Sequence, residues 1–417
     1  MINFQLGKIF LNNKKVLENL SYISILQLFS IFLPLISYPY LIRVLGLELN
    51  GMIVFAYSIV SYLNLFISFG FNSSTTRNIA SLESDKCISN IVFSTYLCKL
   101  ILFSFSVCLF LLVISFSHIQ IEFRYILYSS LGLSIGELLL PIWYFQGVEK
   151  MKYLTIINVG SRTLFTIFIF VFVRQKEDYL LVPLFNSLGA IGGGAYALYV
   201  LLAKERVKFS GVNLYSIKMN FRDSAPMFVS SLSSLIYLNV NKLIVGSFLG
   251  MSEVSIYDIG EKVMNLLKIP TVVICQSVYP KMSRELNIRY MNKVMLTAFF
   301  FMLVLYSMIC IWAKQIIKFF LGEHNSTGVI LICILSFSSV LLTLNSMLGG
   351  NRLIPFGYAR QLMNIMIINL LFYVLLLSVI VVFDKISMLN LAICTLFVEL
   401  ICVIMLILKN RKLKILR

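Results

Sequence analysis

Twelve stretches of mostly apolar residues, each close to twenty residues long or more, decide what this chain of 417 residues can fold into. They lie at 19–42, 50–72, 88–116, 122–145, 153–173, 179–203, 225–249, 255–280, 292–313, 327–348, 361–383 and 387–408. About 20 such residues are needed to cross the hydrocarbon core of a bilayer. In that core only helices and closed barrels satisfy every backbone group. The expected fold is therefore all-α and integral to the membrane, with twelve transmembrane helices. Composition agrees: only 13% of residues are charged, about half the usual share for a globular domain. The joins are short, so no soluble domain is expected. Residues 1–18, with Lys8, Lys14 and Lys15 but no small-residue cleavage site beyond them, read as a basic amphipathic lead-in at the cytoplasmic surface.

A net charge of +17 invites a nucleic-acid reading, but basic residues of membrane chains collect in cytoplasmic loops. With both termini inside, 23 of the 35 Lys and Arg fall in cytoplasmic segments and seven in outer loops. That bias places both termini in the cytoplasm, and no nucleic-acid partner is expected. Eight cysteines without a C-x-x-C pair, and two histidines, support neither a metal site nor a disulfide framework. No P-loop pattern occurs, so direct ATP hydrolysis is not expected, and no cofactor is called for.

The plan divides into an N-lobe at 19–203, a basic linker at 204–224, a C-lobe at 225–408 and a basic cytoplasmic tail at 409–417. Six helices per lobe make the repeat parallel, about an axis along the membrane normal. A shift of 204 positions places "VLGLELNGMIVFAYSIV" (44–60) on "FLGMSEVSIYDIGEKVM" (248–264), with the Leu-Gly turns aligned. The same shift carries Tyr57, Ser61 and Asn64 onto Glu261, Asn265 and Lys268. Both sets are spaced 4 and 3, one face of a helix. The lobes are thus expected to turn equivalent polar stripes toward a central cavity.

Charges inside a bilayer cost about 2.5 kcal/mol or more and generally face a bundle interior or water. Lys268, Arg162, Lys242 and Lys262, with Asn265, Asn64, Asn239 and Tyr57, are the candidate cavity residues for an anionic or polar cargo. Lys99 stands behind them. Asp258 and Lys262, one turn apart, read equally as a structural pair. Glu261, Asp258, Glu137 and Glu399 are candidates for proton or sodium coupling, with Glu137 and Glu399 standing as lone acids on their helices. The Gly132/Gly136 and Gly189/Gly193 spacings indicate close helix packing.

One stretch goes beyond composition. "PIWYFQGVEKMKYLT" (141–155) resembles the W-x-x-Q-G-x-E-x-M motif of bacterial O-antigen flippases; Trp143, Gln146, Gly147, Glu149 and Lys150 carry the signature and are expected to shape an inner loop. "YPYLIRVLGLELNGMIVFAYSIVSYLNLFISFGFNSSTTRNIA" (38–80) is similar to the N-terminal pattern of the same family. The resemblance implies an alternating-access exporter fold, two lobes, and no catalytic machinery. It implies a cargo of undecaprenyl-pyrophosphate-linked oligosaccharide repeat units, moved from the cytoplasmic to the periplasmic leaflet of the bacterial inner membrane for surface polysaccharide (O-antigen, lipopolysaccharide) synthesis. Membrane lipids, a polysaccharide polymerase and chain-length machinery would be its partners. The alternatives are a small-molecule or multidrug exporter of the same superfamily, and a membrane polysaccharide polymerase, against which the short outer loops argue.

Overall fold

The computed structural model describes residues 2–81, 85–117, 119–205, 207 and 214–415, and all regular structure among them is helical. The helices are α1 (Ile2–Leu45), α2 (Leu47–Ser68), α3 (Phe71–Ala80), α4 (Asp85–Phe116), α5 (Ile121–Ser130), α6 (Gly132–Leu139), α7 (Ile142–Gly147) and α8 (Met151–Phe172). They continue with α9 (Leu181–Tyr199), α10 (Leu214–Phe248), α11 (Met251–Glu285), α12 (Ile288–Leu321), α13 (Ser326–Asn345), α14 (Ala359–Val382) and α15 (Met388–Lys412). A 3-10 turn (Lys176–Leu180) precedes α9, and π-helical turns follow α9 (Val200–Lys204) and α13 (Ser346–Leu353).

Helix covers each of the twelve expected stretches. Ten helices or helix runs among the described residues are long and apolar enough to cross a membrane. The stretches at 225–249 and 255–280 fall inside α10 and α11 but are not among the ten. Lys242 with several serines and asparagines in the first, and Asp258, Glu261, Lys262 and Lys268 in the second, interrupt the apolar run. The fourth stretch is not one helix but α5, α6 and α7 in series. Pro141, which has no N–H to give, sits at the second break. The lead-in is not separate either, since α1 runs from Ile2 without interruption. Of the linker, 206 and 208–213 lie outside the described residues, as do 416 and 417 of the tail.

Two compact units emerge, Met1–Tyr40 with Val44–Ile236, and Leu41–Arg43 with Tyr237–Arg417. The division falls inside α10 rather than in the linker. In the first unit α6 packs on α9. A Cβ placed on Gly132 would lie 2.5 Å from the Ser187 Cβ, and one on Gly136 would lie 2.5 Å from the Ala190 Cβ. The glycine spacing is therefore a packing device, as expected.

In the second unit α13 packs against α11, α12 and α15. Side-chain caps mark several starts here. Asn287 accepts from the Tyr290 N–H at 3.0 Å, Asn325 from the Gly328 N–H at 2.7 Å, and Ser387 from the Asn390 N–H at 3.1 Å.

The 204-residue register has a backbone counterpart. Gly46, before α2, has φ 84° and ψ 169°, and Gly250, before α11, has φ 107° and ψ 166°. Only glycine adopts that region readily. Two equivalent helices thus start on the same unusual dihedral pair, 204 positions apart.

Candidate functional site

In the second unit the polar face of α11 meets α10 in an ion-pair cluster. Lys242 of α10 places its Nζ 2.9 Å from Glu261 Oε2 and 3.4 Å from Asp258 Oδ1. Lys262 bonds the other Asp258 oxygen, one helical turn away. The structural-pair reading of Asp258 and Lys262 is therefore met in the geometry, with Lys242 joined to it. Beside the cluster, Asn241 donates to the hydroxyls of Tyr257 and Thr395, both at 2.9 Å, and its Oδ1 accepts from Tyr373 at 2.9 Å. Four helices, α10, α11, α14 and α15, are tied by this one amide.

Next to it lies a narrow pocket lined by Lys268, Glu261, Glu399, Ser338 and Thr395 among others, with room for about one water molecule. Asn345 of α13 donates to the Glu399 carboxylate. Glu399 is thus not the lone acid of the sequence reading. The ion pairs use Lys242 and Lys262 to neutralise Glu261 and Asp258, so Lys268 is the basic group of this face that stands outside them. Asn265 is exposed and Asn239 half-buried, and the pocket lining includes neither. The amide that joins the network is Asn241, two residues from the one expected. Helical phase explains the slip: Asn239 and Lys242 share a face by spacing, but Asn241 points where three neighbouring hydroxyls converge.

The first unit disposes of its candidates differently. Tyr57 accepts from the Asn186 amide at 2.8 Å, joining α2 to α9. Asn64 accepts from the Ser134 hydroxyl at 2.8 Å, joining α2 to α6. Ser61 and Ser68 turn their hydroxyls onto carbonyls of their own helix. Arg162 is exposed on α8 and donates to the Ser30 hydroxyl of α1 at 3.0 Å. Glu137 also has a partner. Lys99, fully buried, donates to the Glu137 carbonyl at 2.5 Å, with its carboxylate 3.6 Å away. Nothing in the spacing of 38 positions between α4 and α6 foretold that pair.

The motif at 141–155 is a packing clasp. Trp143 and Phe145 are fully buried, and the Trp143 carbonyl accepts from Thr76 of α3 at 3.1 Å. A Cβ on Gly147 would lie 2.8 Å from Ile79. Lys150 and Tyr144 both reach the Glu205 carboxylate, at 2.5 and 3.2 Å, beyond the end of α9. Among the described residues no group of three or more His, Cys, Asp and Glu is arranged to hold a metal ion.

Two units of long apolar helices, ten of them among the described residues long and apolar enough to cross a membrane, define a multi-pass membrane fold. Solved structures agree. "Lipid II flippase MurJ, inward closed conformation" aligns with TM-score 0.73 over 95% of this chain and 87% of that one, at 14% identity. An inward-facing multidrug resistance MATE family transporter aligns with TM-score 0.65 over 92% and 94%, also at 14% identity. The chain belongs to the polysaccharide biosynthesis protein family, whose profile matches residues 16–286. Similar curated proteins are a "Putative O-antigen transporter" of Escherichia coli (strain K12), 26% identical over 85% of this chain and 88% of that protein, and a protein of the same name from Shigella dysenteriae, 24% identical over 82% and 87%.

Proposed function

We propose that this protein is a flippase that carries undecaprenyl-pyrophosphate-linked oligosaccharide repeat units from the cytoplasmic to the periplasmic leaflet of a bacterial inner membrane, with both termini cytoplasmic. The observation that carries the proposal is family membership over residues 16–286, joined to relatives named as O-antigen transporters over more than four fifths of the chain. The chemistry is compatible. A pyrophosphate and a glycan need a polar path through hydrocarbon. Lys268, with Arg162 exposed on α8, supplies cationic groups at depth, and the amides and hydroxyls suit sugar hydroxyls. The prenyl tail stays in lipid. A polymerase and chain-length machinery would take the product on the far side.

For coupling to protons or sodium, the candidates remain Glu261, Asp258, Glu137 and Glu399. Each is engaged by a lysine or an asparagine in this conformation. Uptake of a cation at Asp258 or Glu261 would compete with the lysines that hold them.

Gene deletion followed by separation of surface polysaccharide and lipid-linked intermediates tests the cargo. Loss of surface polymer with accumulation of complete lipid-linked repeats is the expected result. Single repeats on the surface without chain growth would point to a polymerase, and no change in either pool to export of a smaller compound.

A further inference from the structure

The division of the chain at Ile236/Tyr237 assigns the first part of α10 to the first unit, and its seat there combines aromatic and polar contacts. Toward Pro226 the seat is aromatic and very close. Gly70, in the left-handed region at φ 76°, is approached so tightly that a Cβ would lie 2.7 Å from the Phe228 nitrogen and 2.8 Å from the Ser224 carbonyl oxygen. Phe69 stacks on Phe228 at 4.5 Å, and Phe221 meets Phe69 and Phe71 edge-on. Polar contacts lie on either side of Phe221. Ser224 and Ser74 share a hydrogen bond of 2.5 Å, and the Asn220 amide donates to Ser94 at 2.8 Å. The Sγ of fully buried Cys98 faces the Ile217 carbonyl at 3.9 Å.

We propose that the first part of α10 is a releasable strap, closed here on α3 and α4, whose lifting opens a hydroxyl-lined groove floored by Ser74, Ser94, Thr95 and Cys98. Three features carry the inference. A contact made of hydroxyls and an amide exchanges its partners for water at small net cost, since a typical protein hydrogen bond contributes little beyond the water bonds it replaces. An apolar contact of the same extent would resist wetting. Pro226 removes one backbone hydrogen bond of α10 between Ser224 and Phe228, which gives the strap a place to bend. Glycine at position 70 is the condition for closure, because any side chain there meets backbone that has no room to yield. The inference does not depend on the identity of the cargo.

Cys98 is a native reporter. The experiment is alkylation of the full chain in lipid nanodiscs with N-ethylmaleimide, followed by mass spectrometry of each cysteine peptide. Wild type is expected to react slowly at Cys98. Gly70→Ala should react at least tenfold faster, and Asn220→Ala, which removes only the polar tie, severalfold faster. A disulfide between Ser74→Cys and Ser224→Cys should slow the reaction at least tenfold. Cys402, equally buried in the second unit, should keep its rate throughout. Unchanged reaction at Cys98 in both Gly70→Ala and Asn220→Ala overturns the strap. So does an equal rise at Cys402, which marks general unfolding, or a disulfide that leaves Cys98 as reactive as before.

Discussion

At the level of single residues, what matters is which intramembrane charges are already spent. Lys99, fully buried, and half-buried Glu137 form an ion pair at 3.6 Å across α4 and α6. Removing one partner of such a pair strands the other, a loss of about 3–5 kcal/mol, whereas replacing both with apolar side chains of similar size is often neutral. Lys99→Ala and Glu137→Ala are expected to lower the thermal midpoint of the purified protein strongly, and the double change Lys99→Met with Glu137→Leu to recover most of it. Lys268 is different, because it stands outside the ion pairs while lining the pocket. Lys268→Ala is expected to cut translocation at unchanged protein abundance, read as accumulated lipid-linked repeats. Normal transport at normal abundance would remove Lys268 from the cargo path. The sequence identified these charges as intramembrane but could not pair them across helices. Helical spacing relates residues on one helix, so it found Asp258 with Lys262. It had no access to Lys99 with Glu137, or to Asn345 with Glu399, which depend on which helices pack together.

At the level of elements, starts and close approaches were the legible part. The Leu-Gly turns aligned by the 204-residue shift prove to be two glycines in one rare backbone region, each with nothing within 4 Å of a would-be Cβ. The cost of a side chain there is purely conformational, about 1–3 kcal/mol. Gly46→Ala and Gly250→Ala should therefore lower stability by similar amounts, and a much larger effect at one of them would show that the two starts are not equivalent. The glycine spacings on α6 and α9 were equally readable, because small residues four apart have one common use between helices. Less readable were the breaks within the fourth stretch. Hydropathy sees one apolar run there, whereas the backbone divides it at Leu131 and again before Pro141. A single proline marks only the second of these breaks.

At the level of the whole molecule, orientation rests on the basic residues. If the excess of Lys and Arg in alternate loops sets topology, alkaline phosphatase fused after Arg417 should be inactive, and the same enzyme fused at Lys385 active. The reverse pattern would invert the proposed direction of transport with it. Among the described residues ten of the expected spans are apolar enough to announce themselves. The spans in α10 and α11, which hold the second unit's network, are not among them.

The Lys99–Glu137 pair also bears on how the chain is made. Its partners lie 38 residues apart, and a ribosome adding about 5–20 residues per second takes about 2–8 s to travel that distance. Throughout that interval α4 carries a lysine with no carboxylate to receive it, a state that costs about 2.5 kcal/mol or more in bare lipid. The nascent helix has reason to wait at the insertion machinery until α6 emerges, so α4, α5 and α6 would enter the bilayer together rather than one by one.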